Sequence, residues 1–173
     1  MDFQGPYPNG EYTFVKIDQY SRWPECKIMK QAPDAKMTCN AIREVIRNQG
    51  RPEFLQSDNG PPFQSKEMRS FAEEMGYDHV HITPEWPKAN GMVERFNRSM
   101  KEAVQAGCLE GRSLRESVDD FVEIYRATPH TATNVSPFEA MHGGRKMKLT
   151  LPRIAETDHI VNTIYILDIH MQP

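Results

Sequence analysis

The stretch Leu55-Gln56-Ser57-Asp58-Asn59-Gly60-Pro61-Pro62-Phe63 decides how the rest of the chain is read. A strand-like approach ends on a bare carboxylate, Asp58. Asn59 and Gly60 favour a turn there, and two prolines bar a helix or a strand ladder from continuing. A lone acid at the tip of a strand calls for a partner elsewhere in the sequence.

The chain has 173 residues, enough for one domain with a full hydrophobic core and short for two. Hydrophobic residues at 38% beside charged residues at 26% describe a soluble globular protein. No apolar run approaches the ~18 residues of a membrane span, and no signal-peptide pattern opens the chain. Cys26, Cys39 and Cys108 lie far apart without a CxxC, which argues against a disulfide framework and a structural zinc site. The net charge of −3 does not announce a nucleic-acid binder, so such a role must rest on local charge.

Outward from Asp58, strands come first and then alternate with helices, the order of an α/β domain with a mixed sheet. Residues 11–18 and 23–29 read as a hairpin, with Lys16 breaking the alternation. Asp34 caps a helix running to Asn48, and a second helix spans Ser65 to Met75 before Gly76. Residues 77–83 form the next strand. A long helix is expected from near Gly91 to Gly107, then another behind a Ser113–Glu116 capping box. Past Thr128 only a loop and one short helical turn are legible. Phe14 and Trp23 are expected in the core.

On the long helix, Met92, Val93, Phe96, Met100, Ala103 and Val104 share one stripe. Asn90, Glu94, Asn97 and Lys101 cluster opposite, with Arg98 at their edge. Glu94 therefore leaves the core face among amides and cations. Two carboxylates at element ends can hold a hard divalent ion together with water and phosphate, and a two-metal phosphoryl-transfer site needs a third acid. Asp2 and Asp18 are the candidates on residue type alone.

The segments DFQGPYPNGEYTFVKIDQYSRWPE, SDNGPPF, ITPEWPKANGMVERFNRSMK and YRATPHTATNVSPFEAMHGGR together resemble the integrase core of gypsy-type long-terminal-repeat retrotransposons, relatives of retroviral integrases. The likeness covers about residues 2–150, and thirty-five residues separate Asp58 from Glu94, as in that family. The resemblance implies a ribonuclease H-like α/β fold: a five-stranded mixed sheet flanked by helices, here with its first strand truncated at Met1. It selects Asp2 over Asp18, making Asp2, Asp58 and Glu94 the catalytic, metal-holding triad for Mg²⁺ or Mn²⁺. It implies DNA 3′-end processing and strand transfer into target DNA, homo-oligomerisation, a nuclear location and no membrane or secretory role.

Asn59, Trp86, Lys88, Asn90, Asn97, Arg98 and Lys101 are the expected DNA contacts, with Trp86 suited to stacking on an unpaired base. Lys101 reads equally well as a solvated helix charge, and Trp86 as a pin for its loop. His79 and His81 share one strand face and, without cysteine partners, read as surface histidines rather than a metal site. Residues 1–127 form the expected core and 128–173 its extension, with an atypical tail from about 154. The missing start of the first strand favours a second reading: a non-catalytic, truncated or co-opted integrase remnant that binds nucleic acid or partner proteins. A ribonuclease H-type hybrid nuclease shares fold and metals but is disfavoured by NGMVERFN and YRATPH.

Overall fold

Helix boundaries follow from side chains that satisfy the otherwise orphaned first-turn amides. Asp34 accepts from the Met37 amide and opens α1 (Ala35–Gln49), and Ser65 accepts from the Met68 amide and opens α2 (Lys66–Met75). Gly76 ends α2 at φ 72, a left-handed conformation that suits glycine. Ser113 and Ser136 each form a capping box, with Glu116 and Glu139, ahead of α4 (Leu114–Ala127) and α5 (Pro137–Met141). The computed structural model describes residues 1–82 and 87–149, and of residues 87–90 the backbone alone.

The long helix α3 runs Pro87–Leu109, so it begins four residues before the Gly91 start expected from sequence. Proline at the first helical position loses no needed hydrogen bond and is pre-set for the helix, so Pro87 opens α3 rather than blocking it. Gly91 is passed within the helix.

Five strands are present: β1 (Asp2–Gln4), β2 (Tyr12–Ile17), β3 (Pro24–Met29), β4 (Phe54–Ser57) and β5 (Asp78–His81). β1, β2 and β3 form an antiparallel meander with Asp2 opposite Val15, and β4 pairs with β5 in parallel with Ser57 opposite His81. The Met1 amino nitrogen donates to the Gln56 carbonyl of β4 and so links the two halves. The cleft between them, about 370 Å³, is lined by Lys16, Ile17 and Asp18 on one side and by Pro52 to Gln56 on the other.

Because strand side chains alternate in direction, adjacent residues of β2 serve opposite cores. Phe14 packs with Ile42, Leu55, Phe63, Met68 and Phe71 beneath α1 and α2. Val15 and Ile17 pack with Val93, Phe96, Met100, Val104 and Val118 beneath α3 and α4. Each such large side chain contributes about 1.5–3 kcal/mol on full burial. The sheet is thereby sandwiched between helices. Lys16, the misfit in the alternation, is held by the Gln49 side chain at 2.8 Å, and burial pushes its pKa down. Trp23 is half-buried rather than fully in the core, its ring lying 4.1 Å beneath the Arg126 guanidinium. Among the described residues no helix is long and apolar enough to cross a membrane.

Candidate active site

β1 is anchored by an aromatic contact: Phe3 stacks on Phe63 at 5.0 Å and packs against Phe14 at 5.4 Å. Gly5, at φ 137, then lets the chain turn. A Cβ there would meet Tyr12 Cδ1 at 2.7 Å and the Glu11 carbonyl at 2.9 Å. The first acid, Asp2, thus stands on a strand fixed from both sides.

The Asp2 carboxylate is committed at both oxygens. Oδ1 accepts from the Phe3 amide at 2.7 Å, and Oδ2 accepts from the Asn97 side-chain amide at 2.7 Å. The Gln4 side chain also donates to the Asn97 carbonyl at 3.0 Å, tying α3 to β1 at this point. Burial pushes the Asp2 pKa up; the Phe3 amide opposes this, while the nearby Asp58 charge adds to it. Asp2 and Asp58 are therefore close enough to sense one another, although the sequence places them far apart.

Asp58 follows β4 directly, as expected for a strand tip. Its Oδ1 accepts from the Gly60 amide at 3.0 Å, closing a local turn. A Cβ at Gly60 would lie 3.2 Å from that oxygen, so the glycine leaves room for the carboxylate. The Asp58 carbonyl accepts from the Ser57 hydroxyl at 2.9 Å and lies 3.3 Å from His81 Nδ1. Ser57 Oγ in turn lies 2.9 Å from His79 Nε2.

Glu94 is exposed on α3, one turn ahead of Asn97. Asn59, Arg98 and Lys101 are exposed, as DNA contacts require. Asn97 differs from that expectation: it is half-buried and its amide is spent on Asp2, because the helix face that carries Glu94 turns partly toward β1. Trp86 lies outside the described residues, as do the side chains of Lys88 and Asn90. Sequence reasoning missed Ser57, His79 and His81. The histidines are half-buried, their rings 4.4 Å apart, rather than on the open surface. Their alternation in His79-Val80-His81 was the available signal, and what it lacked was the register that sets β5 beside Ser57.

For Mg²⁺ or Mn²⁺ the donors fit in kind, being carboxylate oxygens without sulfur. Their arrangement departs from the expected triad. Among the described residues no group of three or more His, Cys, Asp or Glu side chains is gathered closely enough to hold a metal ion. The reason is local: Asp2 is engaged by Phe3 and Asn97, Asp58 is drawn onto Gly60, and Glu94 stands on the exposed face.

The family profile described as Integrase core domain matches residues 1–87, and a second one of the same description matches residues 75–137. The chain is 30% identical over 161 residues to the Caenorhabditis elegans protein K02A2.6, covering 93% of this chain and 12% of that one. It is 30% identical to the Gag-Pol polyprotein of Koala retrovirus over 146 residues, covering 81% and 8%. To the Pol polyprotein of Radiation murine leukemia virus it is 31% identical over 142 residues, covering 77% and 23%. The chain thus spans under a quarter of the length of each of these relatives. Among solved structures, the HTLV-2 integrase catalytic core domain in complex with magnesium, in its trimeric form, superimposes at a TM-score of 0.68. The identity is 20%, over 82% of this chain and 93% of that one. The simian T-cell lymphotropic virus intasome superimposes at 0.72 and 20% identity, over 92% of this chain and 57% of that one. These likenesses confirm the ribonuclease H-like α/β fold, with five strands and flanking helices. The chain belongs to the integrase core domain family.

Proposed function

We propose that this chain, by itself, is a non-catalytic integrase core of gypsy-type retroelement descent that binds nucleic acid and further copies or partner proteins. One observation carries this reading: the three acids of the expected triad do not form a three-ligand group among the described residues. A cation needs such a group to be held where phosphate can complete its shell. The fold, the exposed Arg98 and Lys101, and the exposed Asn59 beside Asp58 support a DNA-binding role without chemistry. Backbone phosphates rather than base edges suit such residues, so the binding is expected to be indifferent to sequence. Self-association is supported by relatives whose solved cores are described as dimeric and trimeric.

The experiment is direct. The chain is mixed with labelled DNA ends in Mn²⁺, and binding and end joining are read separately. Binding with no joining is the expected result; efficient joining overturns this reading.

A second reading, metal-dependent 3′-end processing and strand transfer, is favoured by a different observation. Asp2 and Asp58 lie close enough for one charge to raise the other's pKa, and a cation between them would relieve that repulsion. Asp2, Asp58 and Glu94 would hold the ion, which would supply charge stabilisation for the phosphoryl oxygens. In that reading Asn97 orients Asp2, the Asn59-Gly60 turn keeps the chain clear of the site, and Arg98 and Lys101 hold the DNA backbone.

A further inference from the structure

We propose that His79 is a positioning residue for Asp58, acting through the Ser57 hydroxyl; this rests on the reading of Asp58 as a cation ligand. Counting protons along the chain of contacts fixes their direction. Ser57 Oγ lies 2.9 Å from the Asp58 carbonyl and 2.9 Å from His79 Nε2. The carbonyl can only accept, so the single hydroxyl proton points toward it. Ser57 Oγ then accepts from the imidazole, and His79 carries its proton on Nε2. Nδ1 is left bare, and it is buried with no hydrogen-bond partner among the described residues. An orphaned lone pair is what this proton order leaves behind. The opposite tautomer would bury an unpaired N–H donor instead, the costlier arrangement in native proteins.

The surroundings fix the ring in this role. His79 packs edge-on to Phe63 at 6.2 Å, and Phe63 is 1% exposed. On its other side lies His81, two residues on along the same face of β5. Burial first, then the neighbouring His81, pushes the His79 pKa down to about 4, so the ring is neutral. His81 Nδ1 reaches the same Asp58 carbonyl at 3.3 Å. The peptide plane of Asp58 is thereby held on its carbonyl side, while Gly60 holds its carboxylate. Outer partners of this kind fix where a ligand oxygen stands, and their loss typically costs 10–100-fold in metal affinity.

The test has two readouts in the ¹⁵N-labelled chain. Long-range ¹H–¹⁵N correlations report the His79 tautomer, and titration with Mn²⁺ alone reports broadening at the Asp58 to Gly60 amides. The expected result is the Nε2–H tautomer in the wild type. His79→Leu, which lacks a donor, should need about tenfold more Mn²⁺ for the same broadening. His79→Gln, whose amide nitrogen reaches as far as Nε2, should bind Mn²⁺ like the wild type. An Nδ1–H tautomer overturns the proposal, as does equal Mn²⁺ binding by the Leu and Gln variants. Absence of Mn²⁺ binding in the wild type overturns the assignment of Asp58 as a ligand, and the proposal with it. The two failures are distinguishable, because one shows in the wild type and the other only in the variants.

Discussion

The side-chain amide of Asn97 donates to Asp2 Oδ2 at 2.7 Å, joining the exposed-face row of α3 to the first strand. This contact fills a position that a cation would otherwise satisfy. Burial raises the Asp2 pKa, so the folded chain holds that proton more tightly than the unfolded chain does. Its stabilising contribution is therefore complete below the unfolded pKa and lost as pH rises through the folded one. At neutral pH the ionised group is a net cost. Asp2→Asn should raise Tm at pH 7 by a few degrees, while Asn97→Ala should lower stability by about 1–3 kcal/mol by leaving Oδ2 unpaired. Thermal denaturation of both variants checks this. A lower Tm for Asp2→Asn would mean that the charged pair is a net stabilising contact.

Glu94 is off the apolar stripe and exposed. Glu94→Gln keeps its shape and removes its charge, so stability should change by no more than ~0.5 kcal/mol. Any Mn²⁺-dependent activity of the chain should vanish with it. Chemical denaturation paired with a DNA-joining assay separates the two effects, and a large stability loss would make Glu94 a structural residue.

Most elements were legible because they depend on local chemistry. Asp34, Ser65 and Ser113 announce their helices by side-chain type and spacing, and the Met92 to Val104 stripe announces the buried face of α3. What stayed hidden depends on register and on distant neighbours. Asn97 sits on the same side of the helical wheel as Glu94, and only the placement of β1 turns it toward Asp2 rather than toward DNA. His79 looks like a surface histidine until β5 is set parallel to β4, which brings it to Ser57. The proximity of Asp2 and Asp58 follows from strand ends meeting, which no periodicity encodes; the family resemblance supplied it.

Arg98 and Lys101 offer a test of DNA contact against mere solvation. Both are exposed on α3, near the turn that carries Glu94. Arg98→Ala and Lys101→Ala should each weaken DNA binding about equally across sequences. Each should reduce the slope of log K against log salt by ~0.9, the value for one phosphate no longer neutralised. Fluorescence anisotropy at several salt concentrations measures both quantities. Unchanged slopes would leave the two side chains as solvated helix charges.

The depressed pKa of His79, about 4, makes stability depend on pH. In the unfolded chain an ordinary histidine takes up a proton near pH 6.5, but folded His79 refuses it until about 4. Stability from this group is thus fully present above pH 6.5 and lost as pH falls through that window. His81 and the Met1 amino group are the charged or titratable neighbours that also depress it. The measurement is the difference between the wild type and His79→Gln across pH 4–7. The wild type should lose more stability on acidification, and parallel curves would show that His79 titrates normally.

The cleft between β2 and β4 bears on how firmly Asp2 is held. β1 has three residues, and beyond its pairing with Val15 the β2 residues Lys16 and Ile17 have no β1 partner in register. Across the cleft, Pro52 to Gln56 line the facing side, and Met1 already donates to the Gln56 carbonyl. An extended segment added ahead of Met1 would run antiparallel to β2 and beside β4, joining two half-sheets into one. Each buried backbone group it satisfies is worth about 1–3 kcal/mol relative to leaving that group unpaired. Against a total stability of ~5–15 kcal/mol, several such bonds are a large change. They would also fix Asp2 nearer the roughly 0.5 Å tolerance a catalytic constellation requires. Adding about ten residues of strand-forming sequence, enough for a typical strand, should raise Tm and strengthen Mn²⁺ binding at Asp2 and Asp58 together. Protection of the Leu55 and Ile17 amides from hydrogen exchange should rise in parallel. If Tm rises with no change in Mn²⁺ binding, the added strand stabilises the sheet without assembling the site. If neither changes, the cleft is not a strand position.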